Sequence, residues 1–128
     1  MYTLPQEIEV WYVIPAIRRE MSKCFIREHG ITYEKVGKIL GISKAAISQY
    51  LKNKRAGKIR LHERVQKEIC KSCKKIIDGK SDSVKEIQKI LIFVRKNKLH
   101  CEVCGEPVEK KSNHDDCVQV IAKYEEDE

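Results

Sequence analysis

Apolar residues recur along this chain with a helical period, and the clearest recurrence lies in 32–55, TYEKVGKILGISKAAISQYLKNKR. Val36, Ile39 and Leu40 stand at i, i+3 and i+4 and predict a short amphipathic helix. Gly41 ends it, because a left-handed residue after a helix suits a side chain without Cβ. Ile42 fills the turn. Ser43 is placed to cap a second helix, in which Ile47, Tyr50 and Leu51 repeat the same spacing. Gly37 falls where two steeply crossed helices leave no room for a larger residue. The bland alternative is an ordinary helical hairpin inside a core. Against it, Lys44, Ser48, Gln49, Lys52, Lys54 and Arg55 compose a face suited to a nucleic-acid groove.

The same period extends outward. Residues 5–30 read as one long helix kinked at Pro15, with Thr3 and Gln6 as a capping box and a strand over Val10–Ile14 as the competing expectation. Its start is apolar nearly all round, from Ile8 through Trp11 and Tyr12 to Ile14, so an exposed surface there would predict a dimer interface. Packing within one chain is the competing expectation. Residues 61–78 predict a helix with Val65, Ile69, Cys73 and Ile76 inward, stopped by Gly79. Ser83 and Glu86 read as a capping box for a helix over 84–97, with Ile87, Ile90, Leu91 and Val94 inward. A loop and a short helix over 117–124 complete an all-α expectation.

EVWYVIPAIRREM followed by TYEKVGKILGISKAAISQYLKNKRAGK resembles archaeal predicted transcriptional regulators with a phage-repressor-like, Cro-type helix-turn-helix. The resemblance covers roughly residues 5–60 and continues more loosely into a cysteine-bearing C-terminal region. It implies sequence-specific binding to a double-stranded DNA operator as a homodimer. The expected organisation is a helix-turn-helix domain with an N-terminal dimerisation segment over 1–80. A helical segment with a cysteine metal site follows over 81–128.

Charge agrees with that division. Residues 1–80 hold 18 Lys/Arg against 8 Asp/Glu, whereas 81–128 hold 8 against 11. The basic excess concentrates at 44–80, 12 against 3, beginning with the second helix of the turn motif. Such clustering favours phosphate contact over a merely soluble lysine-rich surface. Lys44, Ala45, Ser48 and Gln49 are the base-edge candidates, and Lys52, Lys54, Arg55 and Lys58 the phosphate-contact candidates.

The start carries two acids and no basic leader, and no apolar run approaches the roughly 18 residues that span a bilayer. The expected location is the cytoplasm, where six cysteines serve better as ligands or redox centres than as disulfides. Cys101 and Cys104, followed by Gly105, form the sharpest metal knuckle. Cys70 and Cys73 share the spacing but fall on a helix, where Lys67, Lys71, Lys74 and Lys75 should favour thiolate. The preferred ligand set is Cys70, Cys73, Cys101 and Cys104, with Cys117 as a substitute. Cys101, Cys104, His114 and Cys117 form a competing set.

Either a [4Fe–4S] cluster or Zn2+ suits these thiols. A cluster would make DNA binding responsive to oxidant or iron, and zinc would act as a staple. Cys24, on an apolar helix face, reads as a small core residue. No phosphate loop, nucleophile elbow or paired buried carboxylates points to an enzyme or a small-molecule substrate. The alternatives are a sequence-blind nucleic-acid binder with structural zinc, and a redox thiol protein in which the turn motif is incidental.

Overall fold

The computed structural model describes residues 5–52 and 60–97, and every regular element among them is helical. The chain opens as a continuous helical rod of four parts. These are α1 (Pro5–Ile8), a π turn (Glu9–Val13), α2 (Ile14–Lys23) and a second π turn (Cys24–Glu28). The first π turn lies just ahead of Pro15, where a kink is expected, and no strand forms over Val10–Ile14. A proline supplies no N–H and crowds the carbonyl four residues back, and a widened coil just ahead of it absorbs that crowding. The rod ends where Gly30 turns left-handed and the Ile31 N–H reaches the Phe25 carbonyl at 3.0 Å. Thr3 lies outside the described residues.

Four further helices pack around this rod: α3 (Tyr33–Leu40), α4 (Lys44–Leu51), α5 (Glu63–Ile77) and α6 (Ser83–Lys96). The α2 segment touches α4, α5 and α6, so it is the axis of the core. Val13, Ile17, Met21 and Phe25 are fully buried along it, in one cluster with Val36, Ile47, Val65, Ile69, Ile90 and Val94. The inward faces read from the sequence of α5 and α6 are the buried ones, with Ile76 and Ile87 half-covered at the edge.

The start of α6 departs from the expected capping box. Asp82 is the N-cap, accepting from the Lys85 N–H at 2.9 Å. Ser83 instead donates its hydroxyl to the Ile39 carbonyl at 2.8 Å, tying α6 to the end of α3. Glu86 is buried rather than reaching back to a cap. It takes a 2.6 Å hydrogen bond from Ser81 and a 3.2 Å ion pair from Lys89. Burial works to raise this carboxyl, but Ser81, Ser72 and Lys89 together hold it below its ordinary range. The sequence rule failed here because an acid three residues into a helix can face the core when donors await it there.

Candidate nucleic-acid interface and thiol junction

Two constellations stand out from this frame, one on the surface at α3 and α4, the other behind it at the rod and α5.

Thr32 caps α3 by accepting from the Lys35 N–H at 3.2 Å, and Ser43 caps α4 by accepting from the Ala46 N–H at 3.1 Å. Between them Gly41 has φ +68°, the left-handed value that a residue without Cβ adopts most cheaply. Gly37 is required for a different reason. A Cβ there would stand 2.8 Å from the Ile42 carbonyl oxygen, so the turn backbone occupies the space a side chain would need.

The turn aims α4 with Ala46, Ile47 and Tyr50 buried against the rod and α3. Its opposite face presents Lys44, Ala45 and Lys52 exposed, with Ser48 and Gln49 half-exposed between them. Lys44 stands 4.0 Å from Glu34, which also lies 4.0 Å from Lys38, so one carboxylate partly offsets the local positive charge. Both pairs are open to solvent and bind weakly. At the far end, Arg27 donates to the Leu51 carbonyl at 3.3 Å and ties the rod to the terminus of α4. Lys54, Arg55 and Lys58 lie outside the described residues.

On the rod, Val10, Trp11 and Tyr12 are 58%, 55% and 38% exposed, in contrast to Val13, which is fully buried. The first π turn thus leaves an apolar patch uncovered. Glu9 beside it is held by Arg95 of α6 at 2.6 Å, which fixes the patch relative to the core.

The cysteine pattern is reordered by packing. Cys70 and Cys73 do not present themselves together: Cys70 is exposed, while Cys73 is fully buried with its thiol 4.0 Å from the Met21 carbonyl. Cys24, left out of the chemistry by its sequence context, is the residue that Cys73 meets. The two thiols are hydrogen-bonded across the rod–α5 contact, with Cys70 close enough to raise both electrostatically. The one Cys24 S–H is shared between Cys73 and Glu28 Oε2, the latter at 3.3 Å. Cys101, Cys104, Cys117 and His114 lie outside the described residues.

The expectation that surrounding lysines would favour thiolate does not hold for Cys73. Burial pushes its thiol up to about 12, outweighing the hydrogen bond from Cys24, and Cys70 and Glu28 push in the same direction. Burial likewise raises Cys24 far above the ordinary thiol range, reinforced by Cys73, the hydrogen bond to Glu28 and Cys70. The lysines cannot reverse this because Lys67, Lys71, Lys74 and Lys75 all lie on the exposed side of α5. Lys67 and Lys71 are drawn to Glu63 and Glu68, at 3.8 and 3.4 Å.

Cys24, Glu28 and His29 bring a thiol, a carboxylate and an imidazole within 4.8 Å of one another, a donor group able to hold a metal ion. One thiol with nitrogen and oxygen donors suits zinc, whereas an iron–sulfur cubane takes four thiolates. The described residues contain three cysteines, so a cubane would need thiols from beyond residue 100.

Among the described residues no helix is long and apolar enough to cross a membrane. Comparison of the chain with protein-family models, curated proteins and solved structures found no match.

Proposed function

We propose that this chain is a sequence-specific DNA-binding transcriptional regulator that acts as a homodimer. The observation that carries this reading is the setting of α4: capped by Ser43, buried along one side, and offering Lys44, Ala45, Ser48, Gln49 and Lys52 on the other. With α3, the Gly41 turn and the Gly37 close approach, α4 has the parts of a Cro-type helix-turn-helix recognition helix. Lys44, Ala45, Ser48 and Gln49 near its start meet base edges, and the Gln49 amide offers both a donor and an acceptor to adenine. Lys52, with Lys54, Arg55 and Lys58 from the basic stretch beyond, meets phosphates and sets the register.

Homodimerisation uses the apolar patch of Val10, Trp11 and Tyr12, where rigid aromatic rings bury much area at little entropic cost. A two-fold dimer presents two α4 helices to half-sites about one helical turn, roughly 34 Å, apart. The reading includes a C-terminal metal centre on Cys101, Cys104, His114 and Cys117, a donor set that suits Zn2+, whereas a [4Fe–4S] cluster would draw a fourth thiolate from elsewhere in the chain. Cys73 has no free face to offer it.

Selection of bound duplexes from a random pool, followed by titration of the winner and of scrambled DNA across salt, tests the proposal. A pseudo-palindromic winner, bound at least about 10³-fold more tightly than scrambled duplex at the same salt, is the expected result. Equal affinity for both, falling steeply with salt, would make the chain a sequence-blind nucleic-acid binder instead.

A further inference from the structure

We propose that Cys24, Glu28 and His29, at the end of the N-terminal rod, form a zinc-class metal site completed by Cys70 of α5. The site is separate from any centre on the C-terminal cysteines.

The second π turn creates it. In an α-helix a residue and its fifth successor point to different sides. A π turn takes more residues to come round, so position i+5 returns beside i. Cys24–Glu28 is such a turn, and His29 follows directly, so His29 joins Cys24 and Glu28 on one face. Isolated π turns recur at functional sites, and this one gathers three chemically different metal donors. Metal–ligand bonds of about 2.0–2.3 Å place tetrahedral donors about 3.5 Å apart. Cys24 Sγ and Glu28 Oε2, at 3.3 Å, already meet that spacing. His29, exposed and within 4.8 Å of both, closes on an ion by side-chain rotation alone.

A cleft of about 230 Å³ opens beside Cys24 and Glu28, which line it from the rod with Cys70 from α5, while His29 stands outside its lining. Cys70 is exposed, and so is free to turn toward an ion there. Lys23 and Arg27 also line the cleft, but Lys23 reaches Glu20 at 4.0 Å and Arg27 reaches the Leu51 carbonyl at 3.3 Å. Zinc binding displaces the protons of both thiols and releases them to solvent. The bound ion joins the rod to α5, beside the arginine that holds the end of α4.

Cobalt(II) is the probe, because its tetrahedral thiolate complexes absorb in the visible and near ultraviolet. The full-length chain carrying Cys101→Ser, Cys104→Ser and Cys117→Ser should bind one equivalent with a thiolate-to-cobalt band, and zinc should displace it. Cys24→Ser in that background should abolish the band. His29→Gln, an exposed change that spares the core, should weaken cobalt binding by at least about tenfold and alter the visible bands while leaving some thiolate absorption. In the chain with its C-terminal cysteines intact, Cys24→Ser and His29→Gln should each affect one equivalent and leave the rest. That measurement stands even if the triple-serine chain folds poorly. Absence of a thiolate band in a folded triple-serine chain would overturn the proposal, as would cobalt affinity indifferent to His29→Gln.

Discussion

The α3–α4 unit and the thiol junction between the rod and α5 are built differently. The caps and the turn that join α3 to α4 are close in sequence: Thr32 and Ser43 cap, Gly41 turns, and Gly37 yields its space to the Ile42 carbonyl. The junction is assembled at long range. Cys24 and Cys73 come from separate helices and meet only because the rod packs against α5. A locally encoded unit keeps its shape while its exposed face varies, which suits a surface that must read a partner. A unit made by packing carries its chemistry in the contact itself, so whatever alters the chemistry is felt by the fold.

The largest expected effect sharpens the first half of that comparison. Ile47 is fully buried on the inner side of α4, with its Cδ1 3.6 Å from where a Gly37 Cβ would lie. Ile47→Ala removes the packing that holds α4 to its neighbours and should lower stability by about 2–5 kcal/mol in urea unfolding. A loss under about 1 kcal/mol would mean that α4 stands by its caps and turn alone, without the core.

The second effect concerns the junction. The folded-state pKa of Cys73, about 12, lies above the ordinary value of 9.0, so the folded protein holds this proton more tightly than the unfolded chain. Its contribution is therefore whole below about pH 9 and declines as pH climbs toward about 12. The limiting slope for one such group is about 1.4 kcal/mol per pH unit. Cys73→Ala should be less stable than wild type near neutrality yet flatter in its dependence above pH 9. Parallel alkaline curves would show that the buried thiol is not linked to folding.

The same contrast decides what was legible before the fold was known. Among the described residues, helices α2 to α6, the Gly41 and Gly79 stops, the Ser43 cap and the inward faces of α5 and α6 follow from local spacing, and the structure has them where that spacing puts them; the helix expected over 117–124 lies outside the described residues. Ser83 and Glu86 have the right letters for a capping box, but Asp82 caps more directly, and Ser72, Ser81 and Lys89 offer Glu86 a satisfied place inside. Cys24 went unrecognised for a related reason. A cysteine on an apolar helix face looks inert until the partner helix is known. The C-x2-C spacing of Cys70 and Cys73 suggested a joint ligand pair, yet a helix packed on one side separates such residues into one buried and one exposed thiol. The one signal available in sequence was Cys24, Glu28 and His29 themselves, and it becomes informative only once the π turn is known.

The smallest changes in stability should accompany the clearest changes in recognition, if the outer face of α4 is a reading surface. Gln49 is half-exposed and Lys52 exposed, and neither anchors the core, so alanine at either should leave unfolding within about 0.5 kcal/mol of wild type. On DNA the two should part. Gln49→Ala should cost about 1–3 kcal/mol on the selected duplex and little on scrambled DNA, because a lost base contact is lost only where the base was matched. Lys52→Ala should weaken both duplexes alike and reduce the salt slope by about 1, because a phosphate is present under every sequence. Equal losses on both duplexes for Gln49→Ala would demote it from reader to filler and move the reading face of α4 toward Lys44 and Ser48. The same measurements repeated with and without zinc connect the two regions. Arg27 lines the metal cleft and holds the Leu51 carbonyl, so an ion held there would sit beside the residue tied to the end of α4. A zinc-dependent change in affinity that vanishes in Arg27→Ala would show that the junction regulates the reading surface, whereas a change that survives would send the coupling through the core.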